Sequence, residues 1–393
     1  MPMFFKTLKH FSRTPLFFVY LLSFFYTLHV ALPVYVNSTF LSTLIPERFI
    51  GLIYTSASLL AIISLALIPR LLKTIGDYFT TVFFIIFEIL CLIGMAVSTI
   101  PALTITFFIL SSVLIALIYF DLDLIVEKST KNADTGSVRG LYLTFQNVAW
   151  VIAPAVAGAL LVGGEYWKVY IAAAAIFIPA LFIFAIRLDH FKDPIYRIVQ
   201  FKDSLRVVSR NKDLRNIFSI AFLLQFFFLV MVIYTPIYLH HHIGFEWKEL
   251  GILFSIMLAP FLLLEAILGR IADKILGEKE LLVAGFIIMA LATGAIFFFS
   301  EKTFMVWGLI LFFTRVGAAM VEVMTETYFF KKIDSGDAAV VSLMRSIRPF
   351  AGIIGPLTAT VFLLFFPIES IFLALGGFML LGIPLAFALH DTR

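Results

Sequence analysis

Two stretches of the chain, DLIVEKSTKNADTG at 123–136 and EVMTETYFFKKIDSG at 322–336, share one pattern. Each begins with two acidic residues four positions apart, continues through two lysines and ends in Asp-x-Gly. Position 322 follows position 123 by 199 residues, and position 326 follows position 127 by the same number. A pattern that recurs at one fixed offset indicates a chain built from two homologous halves.

The composition excludes a water-soluble globular protein. Of the 393 residues 62% are hydrophobic and only 14% are charged, whereas soluble domains carry about 25% charged residues. Apolar runs close to the roughly 20 residues that cross a bilayer as a helix recur along the whole length. We predict twelve membrane spans, numbered 1 to 12: 16–36, 48–69, 79–98, 103–126, 140–162, 167–187, 214–239, 249–269, 281–299, 304–326, 338–365 and 369–389.

The basic residues of the loops predict the orientation, because cytoplasmic loops near span ends retain positive charge. If the N-terminus is inside, the basic residues left outside are Arg48, Lys168, Lys248 and Lys302. We therefore predict a multi-pass protein of the plasma (inner) membrane with both termini in the cytoplasm. The polar stretch 188–213 is predicted to be a cytoplasmic basic linker with an amphipathic helix, between an N-terminal six-helix bundle (1–187) and a C-terminal one (214–393).

Two short motifs resemble a known family. Residues 269–279, GRIADKILGEK, resemble the loop signature Gly-x-Leu-Ala-Asp-Arg-x-Gly-Arg-Lys of the major facilitator superfamily, and Trp150 to Gly158 is similar to its fifth-helix Gly-Pro pattern. The first-half copy of the loop at 69–77 differs, since it has Lys73 where the acid belongs. The resemblance implies an all-α integral membrane protein with twelve transmembrane helices in two pseudo-symmetric six-helix bundles. It also implies secondary transport, with spans 1, 4, 7 and 10 around a central cavity.

Charged residues inside the spans are candidates for function. A charge near the bilayer centre costs at least about 2.5–3.5 kcal/mol on insertion scales, so it needs a partner, water or a functional reason. Arg315 and Arg348 lie near mid-membrane by helical rise and form a candidate site for an anionic substrate. The alternative is neutralisation by an acidic residue of the spans: Glu88, Glu265 or Glu322. The other candidate substrate-binding residues are polar: His29, Gln225, Gln146 and Asn147.

The duplicated acidic pairs have two candidate roles. Like charges four residues apart share a helix face and repel each other, so both pairs need cations or protons. The first role is an inner gate of ion pairs at the cytoplasmic side: Asp123, Glu127, Arg139, Glu322, Glu326, Arg345, Asp273 and Lys274. The second is proton coupling, because a carboxylate that alternates between wet and dry surroundings takes up a proton. The candidate proton carriers are Glu88, Asp123 and Glu322.

Several kinds of site are missing from the sequence. It lacks the phosphate-binding pattern Gly-x-x-x-x-Gly-Lys-Ser/Thr, and its single cysteine, Cys91, excludes an intramolecular disulfide or a cysteine metal cluster. The run His240-His241-His242 is not expected to bind metal, because adjacent side chains fan out and the nearest following acid is Glu246. We predict no enzyme activity, no cofactor, no metal and no nucleic-acid partner; the expected partners are a small-molecule substrate, membrane lipids and protons.

These observations predict a monomeric secondary active transporter that moves a small solute by alternating access and is coupled to protons. Export of a drug-like amphiphile and uptake of a metabolite, which includes anionic metabolites, both remain open. Two alternatives use the same fold: a lipid scramblase or flippase-like protein, and a membrane sensor that does not transport.

Overall fold

The computed structural model describes residues 15–129, 135–187, 201–274, 277–333 and 338–390. Within these ranges the regular structure is helical, and twelve helical segments are long and apolar enough to cross a membrane. The predicted all-α fold with twelve spans is therefore confirmed. The first half of the predicted linker, residues 188–200, lies outside the described ranges.

The helices follow the predicted spans closely. Those of spans 1 to 6 are Pro15–Val34 with Asn37–Ser42, Ile50–Ile75, Asp77–Val97, Pro101–Ser129, Thr135–Leu160 and Trp167–Arg187. Those of spans 7 to 12 are Lys212–Ile237, Trp247–Lys274, Glu278–Ala295, Phe304–Lys332, Ala338–Arg345 with Ile347–Leu363, and Ser370–Met379 with Gly382–Phe387. A linker helix, Phe201–Arg210, precedes span 7, and shorter turns occupy Glu47–Phe49, Tyr238–His242 and Ile296–Phe298.

The packing divides the chain into two compact units. Unit 1 comprises Met1–Val36 and Leu60–Tyr196, and unit 2 comprises Asn37–Leu59 and Arg197–Arg393. The start of span 2 therefore packs with the C-terminal helices, although in the order of the chain it belongs to the first half. The domain boundary predicted at 187 follows the order of the chain and stays a prediction.

The two units repeat one packing plan. In unit 1, span 1 packs against spans 5 and 6, and span 3 packs against spans 4 and 6. In unit 2, span 7 packs against spans 11 and 12, and span 9 packs against spans 10 and 12. Each of these contacts recurs six spans later, which agrees with the duplication indicated by the two acidic motifs.

Span 11 is broken where the sequence predicted a continuous run. Its first helix ends at Arg345, and after Ser346 a second helix begins at Ile347. Pro349 explains the break, because a proline has no amide hydrogen and its ring clashes with the carbonyl four residues earlier, which here belongs to Arg345. Since Pro349 lies in the first turn of the second helix, it costs that helix little.

Spans 9 and 10 approach each other through glycines, so we expect Gly317→Ala to destabilise unit 2. A β-carbon at Gly317 would lie 2.6 Å from both the Gly285 carbonyl oxygen and the Met289 amide nitrogen, which are backbone atoms. Overpacking of this kind costs about 1–3 kcal/mol. The unfolding temperature of the protein purified in detergent measures the effect. Gly377→Ala is the matched control, because nothing lies within 4 Å of its added β-carbon; equal unfolding temperatures for the two variants would contradict the prediction.

Candidate functional site

A buried polar cluster lies inside unit 1, where His29 of span 1, Glu88 of span 3 and Ser111 of span 4 meet. We call it the His29–Glu88 cluster. The Ser111 hydroxyl donates a hydrogen bond of 2.7 Å to Oε1 of Glu88, and Nε2 of His29 lies 3.9 Å from the same oxygen. Both titratable side chains are fully buried. Three helices thus bring an acid, a base and a hydroxyl to one point.

The polar atoms of this cluster are incompletely satisfied. Oε2 of Glu88 has no hydrogen-bond partner among the described residues. The ring nitrogens of His29 make no hydrogen bond of full geometry there, although the Phe25 and Tyr26 backbone of its own helix interacts with the ring. An isolated buried carboxylate is costly unless it is paired and hydrogen-bonded, and the single bond from Ser111 does not neutralise it. A negative charge on Glu88 is therefore poorly compensated by the described residues around it.

Aromatic rings enclose the imidazole of His29. The ring of Phe177, from span 6, stacks on it with centroids 3.7 Å apart and planes 9° apart. Tyr26, one turn earlier on span 1, contacts it edge-on at 5.2 Å, and its hydroxyl donates to the Ile115 carbonyl at 2.8 Å. These rings fix the orientation of His29 beside Glu88 and surround the pair with apolar surface.

A second buried carboxylate lies on span 4 of the same unit. Oδ2 of Asp121 accepts a hydrogen bond of 2.9 Å from the Thr81 hydroxyl of span 3, and both side chains are fully buried. Since Thr81 and Glu88 share span 3, two acidic sites occupy the interface between spans 3 and 4. The nearby acidic pair of span 4, Asp123 and Glu127, has side chains outside the described residues.

Unit 2 buries a cation. Arg315 of span 10 is only 1% exposed. Its guanidinium carbon lies 5.2 Å from the ring centroid of Phe227 and 5.4 Å from that of Phe228, both on span 7. Such cation–π contacts contribute about 2 kcal/mol or more when they are shielded from water. The sequence identified Arg315, but the adjacent phenylalanines gave no signal that distinguished them from the other 44 in the chain.

The remaining predicted substrate-binding residues differ in their surroundings. Gln146 is buried, and Gln225 and Asn147 are partly exposed. Arg348 is exposed and makes no ion pair with a described residue. Arg315 is thus the buried member of the predicted pair of arginines, and the two do not share one environment.

The structure brings together one pair of the predicted inner gate. Nη1 of Arg345 lies 3.6 Å from Oε1 of Glu326, and both side chains are about two-fifths exposed, so the pair contributes little to stability. Glu322, one turn earlier on span 10, is partly buried. The other gate side chains lie outside the described residues: Asp123, Glu127, Arg139, Asp273 and Lys274.

A denser ionic cluster, which the sequence did not reveal, joins three helices of unit 2 and the segment after span 12 at the predicted inner end. Asp213, at the start of span 7, accepts from Nδ1 of His390 at 2.9 Å and pairs with Lys332 at 2.9 Å. Lys331 pairs with the buried Glu278 at the start of span 9. Spans 7, 9 and 10 and the residues after span 12 are thereby joined.

The histidine run has an acidic partner, which lies far away in the sequence. Glu47, at the start of span 2, bonds Nδ1 of His241 at 2.7 Å and Nε2 of His242 at 3.1 Å. No group of three or more residues with metal-ligand geometry occurs within the described ranges. Glu47 is separated from His241 by 194 positions, so reasoning from neighbouring residues could not have found it.

The sequence matches the model of a family of transporters. The sequence model described as Major Facilitator Superfamily matches residues 19–342. The chain therefore belongs to the Major Facilitator Superfamily: it is an integral multi-pass membrane protein and a secondary transporter, not an enzyme.

Two solved structures have a similar fold. A mutant form of the nucleoside transporter NupG superposes on the chain with a TM-score of 0.77 at 15% sequence identity. The alignment covers 95% of this chain and 98% of the NupG chain. NupG itself gives a TM-score of 0.75 at 16% identity with the same coverage. No curated protein sequence matches the chain. At these identities the likeness shows a shared fold.

The bond between Ser111 and Glu88 leads to a stability prediction. We expect Ser111→Ala to lower the stability of unit 1 by about 1–3 kcal/mol, because a buried acceptor loses its donor. Thermal unfolding in detergent at constant pH measures the loss. Ser112→Ala is the matched control, since the Ser112 hydroxyl only donates to the Phe108 carbonyl of its own helix at 2.9 Å. Equal unfolding temperatures of the two variants would contradict the prediction that the bond to Glu88 stabilises unit 1.

Proposed function

We propose that the protein moves a small solute across the membrane by alternating access and couples this movement to protons at Glu88. The observation that supports the proposal is the His29–Glu88 cluster: a fully buried carboxylate with one hydroxyl donor and an imidazole 3.9 Å away. The proposal includes the orientation predicted from the loops, with both termini in the cytoplasm of a plasma (inner) membrane, and a monomeric transporter.

The cluster has the chemistry of a proton carrier. One proton shared between Glu88 and His29 leaves the pair without net charge, whether the proton is on the carboxyl or on the imidazole. Loss of that proton leaves a net negative charge among apolar rings, which is unfavourable unless water or another cation reaches it. The proton is therefore retained while the site is dry and is exchanged when the site opens to water.

Arg315 supports a contribution of unit 2 to substrate binding. A buried guanidinium offers planar hydrogen-bond donors, and the rings of Phe227 and Phe228 beside it offer aromatic faces. Donors next to aromatic faces suit a planar, polar solute. Nucleosides are the first class to test, because the similar structures described above belong to a nucleoside transporter, and small organic anions are the second.

Transport into proteoliposomes tests proton coupling. Nucleosides and organic anions are offered with a pH gradient of either polarity, and we expect gradient-driven accumulation in the wild type. Glu88→Gln keeps the side-chain shape but cannot exchange the proton, so accumulation should fall at least tenfold while exchange of solute across the membrane persists.

The control for this experiment is Glu165→Gln, in the exposed loop before span 6, where Glu165 pairs with Lys168. The Lys168 partner lowers the pKa of Glu165, so Glu165 stays ionised throughout the assay range. Accumulation by Glu88→Gln at the wild-type level would refute coupling at this residue. Movement of lipid probes without solute flux would favour a scramblase, and the absence of both would favour a sensor.

The role of Arg315 is tested by ligand binding to purified protein. We expect Arg315→Gln to weaken binding of the transported solute at least tenfold, because charge-assisted bonds to the solute are lost. Arg348→Gln, which alters an exposed arginine, should change the affinity less than twofold. Partial recovery in Arg315→Lys would separate loss of charge from loss of folding. Equal affinities of Arg315→Gln and the wild type would exclude Arg315 from the site.

A further inference from the structure

Glu47, His241 and His242 form a cluster of titratable groups that lies outside the proposed coupling site. The carboxylate of Glu47 uses one oxygen for His241 and the other for His242, at 2.7 and 3.1 Å. The three side chains are between 30 and 41% exposed. Water and protons therefore reach them directly, unlike the closed His29–Glu88 cluster.

The backbone aims both histidines at this carboxylate. The α-helix of span 7 ends at Ile237, and Tyr238–His242 forms a π-helical turn. Successive side chains are rotated less in this wider turn than in an α-helix, so His241 and His242 reach one group. His240 points elsewhere: its Nδ1 lies 2.8 Å from the Phe245 carbonyl. Single π turns in membrane and soluble helices frequently mark functional positions.

Beneath this cluster, the start of span 2 packs closely on spans 7 and 11. A β-carbon at Gly51 would overlap the Pro356 carbonyl and the Thr360 hydroxyl, and would lie 2.8 Å from the Tyr234 hydroxyl. One turn further, the Thr55 hydroxyl donates to the Ile353 carbonyl at 3.3 Å. Gly51 therefore lies directly against both helices, without room for a side chain.

We propose that Glu47, His241 and His242 form a proton-responsive latch that holds the start of span 2 against spans 7 and 11. Imidazoles change charge between about pH 5 and 8, whereas an ordinary glutamate is ionised above about pH 4.3. When an imidazole is protonated, its hydrogen bond to the ionised carboxylate also becomes an ion pair, so it is stronger than the bond that a neutral imidazole donates. The latch is therefore tight in mild acid and loosens as the pH rises through the histidine range.

Neighbouring side chains affect the protonation of the histidines in the latch. The bond to Glu47 favours protonated His242 most, and the charge of Glu369, at the start of span 12, favours it further. The ring of His240 lies 5.3 Å from that of His241. Tyr238 stacks on His242 at 5.9 Å. Arg48 is turned onto the Phe49 ring at 4.9 Å.

The latch has a consequence for the transport cycle. Opening the protein at this end requires Asn37–Leu59 to leave spans 7 and 11, so the pH on the predicted outer side would set how readily it opens. This inference rests on the alternating access proposed above. Its test needs no substrate and no working transport, so its failure is distinguishable from failure of the transport proposal.

Cysteine labelling measures opening beneath the latch. In a Cys91→Ser background, Thr360→Cys places a thiol at a 4% exposed position that faces Gly51. The protein is reconstituted in liposomes and labelled with a membrane-impermeant thiol reagent between pH 5.5 and 8.5. Rates are divided by the rate after denaturation at the same pH, which removes the intrinsic reactivity of the thiol.

We expect the normalised rate to rise about tenfold from pH 5.5 to 8.5, and Glu47→Gln to abolish this dependence and label fast throughout. Glu165→Gln, the same substitution at an exposed carboxylate outside the latch, should retain the wild-type profile. The double variant His241→Gln/His242→Gln repeats the test if Glu47→Gln does not fold. A pH-independent rate in the wild-type latch, or an unchanged profile when the latch is removed, would overturn the proposal.

Discussion

The absence of water from the hydrocarbon core of the bilayer constrains the whole molecule. Each backbone amide must be satisfied within the protein, which is why the spans are helices. Many side-chain hydroxyls also find a hydrogen-bond partner on their own helix: Ser112 and Thr106 donate to the carbonyls four residues earlier. Glu88 does not have this solution, because a carboxylate needs hydrogen-bond donors, and its donor Ser111 comes from another helix. Burial of Glu88 and His29 within unit 1 is unfavourable by itself, which is the physical reason to propose a function for them.

The two units pack their helices in the same way but bury different charged groups between them. Spans 3 and 4 enclose carboxylates in unit 1, whereas span 10 contributes a buried guanidinium in unit 2. Apolar packing tolerates many sequences as long as the contacts between helices are preserved, so a duplicated unit retains its helix pairs while its polar residues diverge. The proposed transport cycle uses this asymmetry, with a proton at the carboxylate of unit 1 and the solute at the guanidinium of unit 2.

The twelve spans were predictable because apolar runs of about 20 residues have few other uses. The buried charges were also predictable as single residues, and Glu88, His29 and Arg315 were identified in this way. Their partners were not, since Ser111, Phe177 and Phe227 are residue types that occur throughout the chain. The break in span 11 had a visible cause in Pro349, yet membrane helices often tolerate proline. Glu47 was missed because sequence spacing carries no information about a partner 194 positions away.

The break at Ser346 separates span 11 into two mechanical elements. The shorter helix, Ala338–Arg345, carries the pair with Glu326, while the longer one, Ile347–Leu363, carries the tight packing against the start of span 2. A continuous helix would transmit a tilt at one end to the other as a rigid lever. Because no α-helical hydrogen bond joins Pro349 to the Arg345 carbonyl, span 11 lacks this rigid connection, and its two helices are joined at Ser346 by a weaker link than a continuous helix would provide.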